Sequence, residues 1–404
     1  MVKRFCSISA LFPLIALLIP GTVPAQYNGE IMAFGDNSYG QCGVPVPNQE
    51  FVGIASGWHH SLGVKTNGSI IAWGDNEYFQ CDVPAPNSNF TAVAAGGRHS
   101  LGLREDATLV AWGSNSNGQG VPPPSNSDFV FIAAGWHFNL AVKNTGFIVA
   151  WGDNTHGQCN VPAPNQDFIG AAGGFGHSLG LKADGSIVAW GYNTHGECDV
   201  PSPNTGFVAV ASGWYHSIGL KADGSIVAWG DNSAGQCDVP SPNSGFVAVA
   251  GGANHSLGLK ADGTIVAWGD NFYGQCNVPS PNEAYTAVAA GRFHSLGLRG
   301  FGTPIEDQGS TPNALVIASV HPNPFGISAS VVFQSPGLSS LTLEVYDTSG
   351  RLVRAEELGS FVTGQHVATW DGRSAQGAEL ASGVYLIRLR GAGRQTSAKV
   401  VLVR

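Results

Sequence analysis

The sequence predicts an all-β protein, a seven-bladed β-propeller followed by a small immunoglobulin-like β-sandwich. Three observations carry that expectation. Glycine is abundant, at 56 of 404 residues, methionine occurs twice, and only 12% of residues are charged, against about a quarter in ordinary globular proteins. Short alternating apolar runs bounded by Gly, Pro, Asn and Asp fill most of the chain, the pattern of strands and turns rather than helices. The run Ala-Trp-Gly recurs with Trp73, Trp112, Trp151, Trp190, Trp229 and Trp268 at steps of 39 residues, and Phe34 takes that place one step earlier.

Taken in order, residues 1–25 have the features of a secretory signal. Lys3 and Arg4 precede an apolar run that is too short and too Pro-interrupted to span a bilayer, and Val23 and Ala25 are small residues before a cut at Gln26. The net charge of −9 becomes −11 without Lys3 and Arg4. Nucleic acid and anionic membrane surfaces are poor partners for such a chain. The expected product is exported and monomeric, free outside the cell or attached to its surface, with no membrane span.

Residues 26–299 hold the repeat. Tyr27 to Arg299 is seven units of 39 without insertion or deletion. Units of about 40 residues are the size of propeller blades. In each, "FVAVA", "HSLGLK" and "SIVAW" alternate as strands do, and an Asp-Gly or Asn-Gly pair joins the second to the third. A fourth, edge strand is expected around "GQCDVP", weakened by its proline. Small residues in "FVAVA" suit the innermost strand. The region opens on the second half of a hairpin and closes on the first half. Glu30–Phe34 is therefore expected to pair with His294–Arg299 and close the ring.

The string "HSLGLKxDGSIVAWGDNxxGQ" resembles the repeat of the RCC1-like propellers, the family of the regulator of chromosome condensation. The short unit with "VP" and "AWG" is most similar to a secreted bacterial branch that includes a propeller inhibiting β-lactamases. The resemblance implies a seven-bladed ring and a binding role. The nuclear branch acts on a small GTPase and binds chromatin; the leader and the acidic charge argue against that role here.

Residues 300–313 are a Gly/Pro/polar linker. From 314 to 404, seven candidate strands predict a small β-sandwich. "HPNPF", "YDTSGRLVR", "WDGR" and "SGVYLIRLR" resemble the immunoglobulin-like domain shared by flagellar hook-capping proteins and type IX secretion sorting domains. The resemblance implies export or anchoring.

Residues shared by every unit are expected to be framework rather than chemistry. Cys42, Cys81, Cys159, Cys198, Cys237 and Cys276 occupy one repeat position, with Gly120 in the seventh. Disulfides between neighbours would need a radius of only about 8 Å. The RCC1-like repeat usually has leucine there, which implies buried, free thiols off the axis. His60, His99, His177, His216, His255 and His294 share a position with Phe138, so a structural ring with one hydrogen bond is expected. "DNxxG" falls short of a calcium loop, since Ser114 and Tyr192 replace the acid. With no nucleophile, zinc or phosphate motif, the expectation is no catalytic residue, no metal, no cofactor and no enzyme.

What varies is more informative. The two places after the shared glycine hold Trp58 and His59, Arg98, Trp136 and His137, Phe175, Trp214 and Tyr215, and Arg292 and Phe293. The places after "WGDN" hold Tyr78 and Phe79 in one unit and Phe272 and Tyr273 in another. Aromatics and arginine are the residues favoured at binding hot spots. In an antiparallel meander both sets fall at the same end of the blades. They are expected to form an aromatic face that binds an extracellular protein, in one version as its inhibitor. The alternatives are glycan stacking on Trp58, Trp136 and Trp214 and, third, an enzyme site in the central channel.

Overall fold

In the computed structural model, the described residues are 27–302, 315–321, 329–347, 351–380 and 383–402. The expected leader and most of the linker lie outside them. The described residues contain strands and turns and no helix. The chain divides into two compact units, Met1–Phe301 and Gly302–Arg404.

The first unit is a ring of seven three-stranded sheets. Blade 1 comprises the inner strand Phe51–Ser56, the middle strand His60–Lys65 and the outer strand Ile70–Gly74. Blades 2 to 6 repeat this at 39-residue steps, from Phe90, Phe129, Phe168, Phe207 and Phe246. Blade 7 takes Tyr285–Ala290 and His294–Gly302 from the end of the repeat and its outer strand, Tyr27–Gly35, from the start. The ring is thus closed by strand pairing, as the split hairpin predicts. Apolar cores lie between neighbouring sheets: Ala55, Leu62 and Ile70 of blade 1 pack with Phe90 and Trp112 of blade 2.

The expected fourth strand is absent, and the reason lies in side chains. In "DNSYGQC" the Asn37 side chain accepts from the Cys42 N–H at 2.9 Å, while Gln41 accepts from the Tyr39 N–H and donates to Asp36. These bonds coil the segment into turns. The outer strand is instead capped by an asparagine: Asn48 Oδ1 accepts from the Ile31 N–H and its Nδ2 donates to the Ile31 carbonyl, each at 2.8 Å. Asn87, Asn126, Asn165, Asn204, Asn243 and Asn282 do the same for their blades. One amide per blade pairs a residue of the edge that a fourth strand would otherwise satisfy.

Blades are joined by a repeated polar weld. His60 Nε2 lies 2.9 Å from Ser100 Oγ in the next blade, and Ser100 Oγ donates to the Gln80 carbonyl. The serine proton is committed to that carbonyl, so the histidine carries its proton on Nε2 and donates. The seam uses the same bond, His294 Nε2 to Ser61 Oγ at 3.0 Å. In blade 3, Asn139 replaces the serine and Phe138 the histidine, and Asn139 still accepts from His99 and donates to the Gln119 carbonyl. The histidines are fully buried, and burial pushes them down to about 3 for His60 and about 4 for His99.

The six repeat cysteines are free but half-buried rather than buried. Each thiol donates to a backbone carbonyl six residues earlier, as Cys42 does to Asp36 at 3.2 Å. The loop turns outward there, which leaves the sulfur at the margin of the core. Burial, with the neighbouring carboxylate second, raises the thiol to about 12.

Against the seven candidate strands, the described residues of the second unit form five: Val316–His321, Ala329–Asp347, Leu352–Trp370, Gly383–Gly391 and Arg394–Leu402. Two are 19 residues long. Their pairing shifts register between Leu338 and Thr342, where each runs on through an irregularity that the sequence presents as a break. Phe333, Leu341, Leu343, Trp370 and Ile387 build one core.

Candidate functional site: the loop end of the propeller

Outer-strand loops and the loops after the shared glycine meet at one end of the ring. The Asp36 N–H donates to the Phe293 carbonyl and the Asp75 N–H to the His59 carbonyl, both at 2.8 Å. Asp and Lys residues of the opposite turns are at the far end of the hairpins.

The three tryptophans do not stand apart on a rim; they meet at the axis. Trp58, Trp136 and Trp214 come from blades 1, 3 and 5, with ring centroids 5.4, 5.8 and 6.1 Å apart. Small residues between them leave the space: a Cβ on Gly97 would lie 2.2 Å from the Trp136 ring. Phe175 packs on Trp136 at 4.0 Å. Arg292 lies over Trp58 and Trp214 at 4.5 and 4.9 Å, and Arg98 over Trp58 at 5.3 Å. This plug lines an axial cavity of about 110 Å³, below the roughly 300–1,000 Å³ of small-molecule sites.

Around the plug the outer loops carry the exposed rings. His59 stacks on Trp58 and on Tyr39, the latter at 4.5 Å, and lies 4.0 Å from Asp36. Partial burial, then Arg292, lowers the His59 pKa; burial likewise lowers that of His137, which stacks on Trp136 at 4.6 Å. Tyr78 accepts from Arg98 at 2.6 Å. Phe293 packs tilted on Tyr273 at 4.7 Å, and Phe272 meets Tyr273 edge-on. Tyr215 packs with Phe175 and His195 beside Tyr192. Tyr39, Phe79, Phe272 and Tyr273 are 54%, 67%, 83% and 44% exposed. Tyr39 was legible only as a variable place after the shared asparagine.

Phe79 has a second peculiarity. Its φ is +64°, where the equivalent Gly40, Gly118, Gly157, Gly196, Gly235 and Gly274 lie between +78° and +84°. A bulky side chain there is strained. Phe79→Gly is expected to stabilise the fold by about 1 kcal/mol, roughly 2–4 °C in Tm. Thermal unfolding followed by circular dichroism checks this, and a lower Tm would remove the claim of strain.

Blade 4 departs from its fellows. Glu197 replaces the glutamine and Tyr192 the aspartate. Glu197 is fully buried, accepts from the His195 N–H at 2.7 Å and faces His195 Nδ1 at 3.6 Å. Among the described residues no group of three or more His, Cys, Asp or Glu side chains is arranged to hold a metal.

The far end holds a different ring. Lys65 and its equivalents through Arg299 lie over the first aromatic of each inner strand, at 4.0 to 5.0 Å. Most also donate to a linker carbonyl, as Lys65 does to Pro47. These seven are framework. The other two Lys or Arg residues of 26–299 are Arg98 and Arg292, both at the loop end.

The class is therefore a closed seven-bladed propeller whose shared polar residues are structural and whose varied aromatics gather at one end. Six of its repeats match the regulator of chromosome condensation (RCC1) repeat, at 51–80, 90–119, 129–158, 169–197, 207–236 and 246–275, and residues 326–394 match the FlgD Ig-like domain. The seventh unit is split between the two ends of the repeat region and falls outside these matches. No curated protein matches the chain. Among solved structures, Prp20p of Saccharomyces cerevisiae, studied for its binding to Gsp1p and histones, is 17% identical over 69% of this chain and 94% of its own, with a TM-score of 0.59. Yeast RCC1 (Prp20) bound to Kap60 is 16% identical over 74% and 97%, with a TM-score of 0.58. Human WBSCR16 is 17% identical over 68% and 100%, with a TM-score of 0.55. At such identities the likeness is one of fold.

Proposed function

We propose that the chain is an exported, non-enzymatic binding module that docks an extracellular protein on the loop end of its propeller, blocking the surface it covers. The observation that carries this reading is the set of exposed rings, Tyr39, Phe79, Phe272 and Tyr273, on loops whose backbones are locked by their own Asp, Asn and Gln side chains. Rigid loops presenting aromatic side chains lose little entropy on binding. The shared histidines, aspartates and cysteines are engaged in framework bonds, and the axial cavity is small, which disfavours a channel enzyme. Trp58, Trp136 and Trp214 are packed edge-on or tilted against one another, which disfavours sugar stacking on them. Export is supported by the charged, then apolar, start of the chain. The FlgD Ig-like match hints at a bacterial surface or flagellar setting, and we assign that unit to sorting or anchoring. Among the described residues no helix is long and apolar enough to cross a membrane.

The test immobilises the full chain and exposes it to the secreted and envelope proteins of the producing cell. Capture of one species should be lost with Tyr39→Ser plus Tyr273→Ser and kept with Lys182→Gln plus Lys221→Gln at the far end. The opposite pattern would move the site to the other face, and retention on a glycan array that those serines abolish would replace the protein by a sugar.

A further inference from the structure

Resting on that reading of the loop end, we infer that docking is confined to the sector of blades 6, 7 and 1, and that the partner presents there a basic surface set with aliphatic or aromatic side chains. The exposed Phe and Tyr side chains of the loop end all lie in three adjacent loops: Tyr39 in that of blade 7, Phe79 in that of blade 1, and Phe272 and Tyr273 in that of blade 6. The matching places in blades 2 to 5 hold Ser116-Asn117, Thr155-His156, Thr194-His195 and Ser233-Ala234. The face is thus apolar on the side of the chain's own seam and polar across from it.

The sector is also continuous underneath. Tyr273 packs tilted on Phe293, Arg292 lies 4.3 Å over Phe293 and 4.5 Å over Trp58, and Trp58 stacks on His59, which carries Tyr39. On the other flank Arg98 joins Trp58 to Tyr78, the neighbour of Phe79. A ligand seated on the four rings would rest on one packed layer.

Phe79 supplies an independent sign. Six blades place glycine at this left-handed position, and the seventh holds a phenylalanine at φ +64° that is 67% exposed. The ring contributes little burial to offset its backbone strain. Strain without a folding benefit marks a position kept for contact.

Charge selects the partner. The three loops carry Glu77 and Asp82 exposed, Asp75 and Asp270 half-buried and Asp36 buried, and no lysine or arginine. Arg98 and Arg292 beneath them are held against aromatic rings. An acidic rim around apolar anchors steers basic surfaces and repels acidic ones.

The test titrates the full-length protein with three fluorescent 16-residue peptides at low salt. One carries lysines and leucines, one replaces the lysines by glutamates, and one replaces the leucines by serines. The lysine–leucine peptide should bind at least tenfold more tightly than either of the others. Phe79→Gly combined with Phe272→Ser should weaken it at least tenfold, while Thr155→Ser combined with Thr194→Ser should leave it unchanged. Glycine is the residue the other blades use, so loss of binding in the first variant is not loss of folding; a melting curve confirms that. Preference for the glutamate peptide, or no preference among the three, would overturn the charge assignment. Binding that survives Phe79→Gly with Phe272→Ser but falls with His156→Ala plus His195→Ala would overturn the sector and leave a loop-end docking site standing. Absence of binding by all three peptides would overturn this inference, whereas the capture experiment above decides the loop end itself.

Discussion

Lowering the pH from 7 to 5 is expected to unfold the propeller, with an uptake of up to six protons per molecule. The six welding histidines are fully buried, and burial holds four of them, His60, His177, His255 and His294, at about 3 and two, His99 and His216, at about 4. In the unfolded chain a histidine takes its proton near 6.5. A folded value below the unfolded one means that the stability is complete above 6.5 and declines as the pH falls toward the folded values, because only the unfolded state binds the proton there. At pH 5 each histidine costs about 2 kcal/mol, and six together reach roughly 12 kcal/mol, as much as a typical domain's whole stability. Carboxylates such as Asp36, whose pKa is lowered although burial opposes it, add to the loss only below about 4. The check is denaturant unfolding at several pH values, with the slope of stability against pH giving the protons taken up. His216→Phe, imitating Phe138 of blade 3, should reduce that slope by one proton while costing about 1 kcal/mol at pH 7 for the bond to Ser256. A slope near zero between pH 6.5 and 5 would mean that the rings are solvated or already charged.

The largest single-residue effect is expected at the axis. In Gly213→Ala the new Cβ would stand 2.0 Å from the His216 ring and 2.3 Å from the Gly252 carbonyl of the next blade. Neither neighbour yields easily, since the ring is welded to Ser256 and the carbonyl is that of the residue directly after the inner strand Phe246–Gly251. The expected loss is about 3 kcal/mol or more, read as a fall in the urea midpoint. Gly206→Ala is the comparison: its φ is +73° and no atom lies within 4 Å of the added carbon, so the backbone alone opposes it, at about 1–2 kcal/mol. Equal effects of the two would show that the inner strands move apart more readily than close packing implies.

Much of this is legible in the amino-acid sequence alone. A gap-free spacing of 39 fixes the number of sheets, and the split hairpin foretells the pairing of residue 30 with the far end. The shared histidine betrayed its structural role by tolerating Phe138. Other features depend on distances that spacing does not encode. The missing fourth strand reflects an asparagine side chain doing for Ile31 what a backbone would do, and a sequence pattern records the asparagine but not its aim. The axial plug arises because Trp58, Trp136 and Trp214 sit in alternate blades and converge where the radius is least; in the chain they stand two repeats apart. Phe79 was visible as an aromatic, but its left-handed backbone appears only beside the six glycines it replaces. The two long strands of the second unit look in the sequence like more numerous short ones, because the pairing shifts between Leu338 and Thr342 resemble ends.

The strand Tyr27–Gly35 is made first and is paired last, with His294–Gly302. A ribosome must therefore deliver nearly the whole repeat region before the opening strand finds its mate, and until then two raw sheet edges face the solvent.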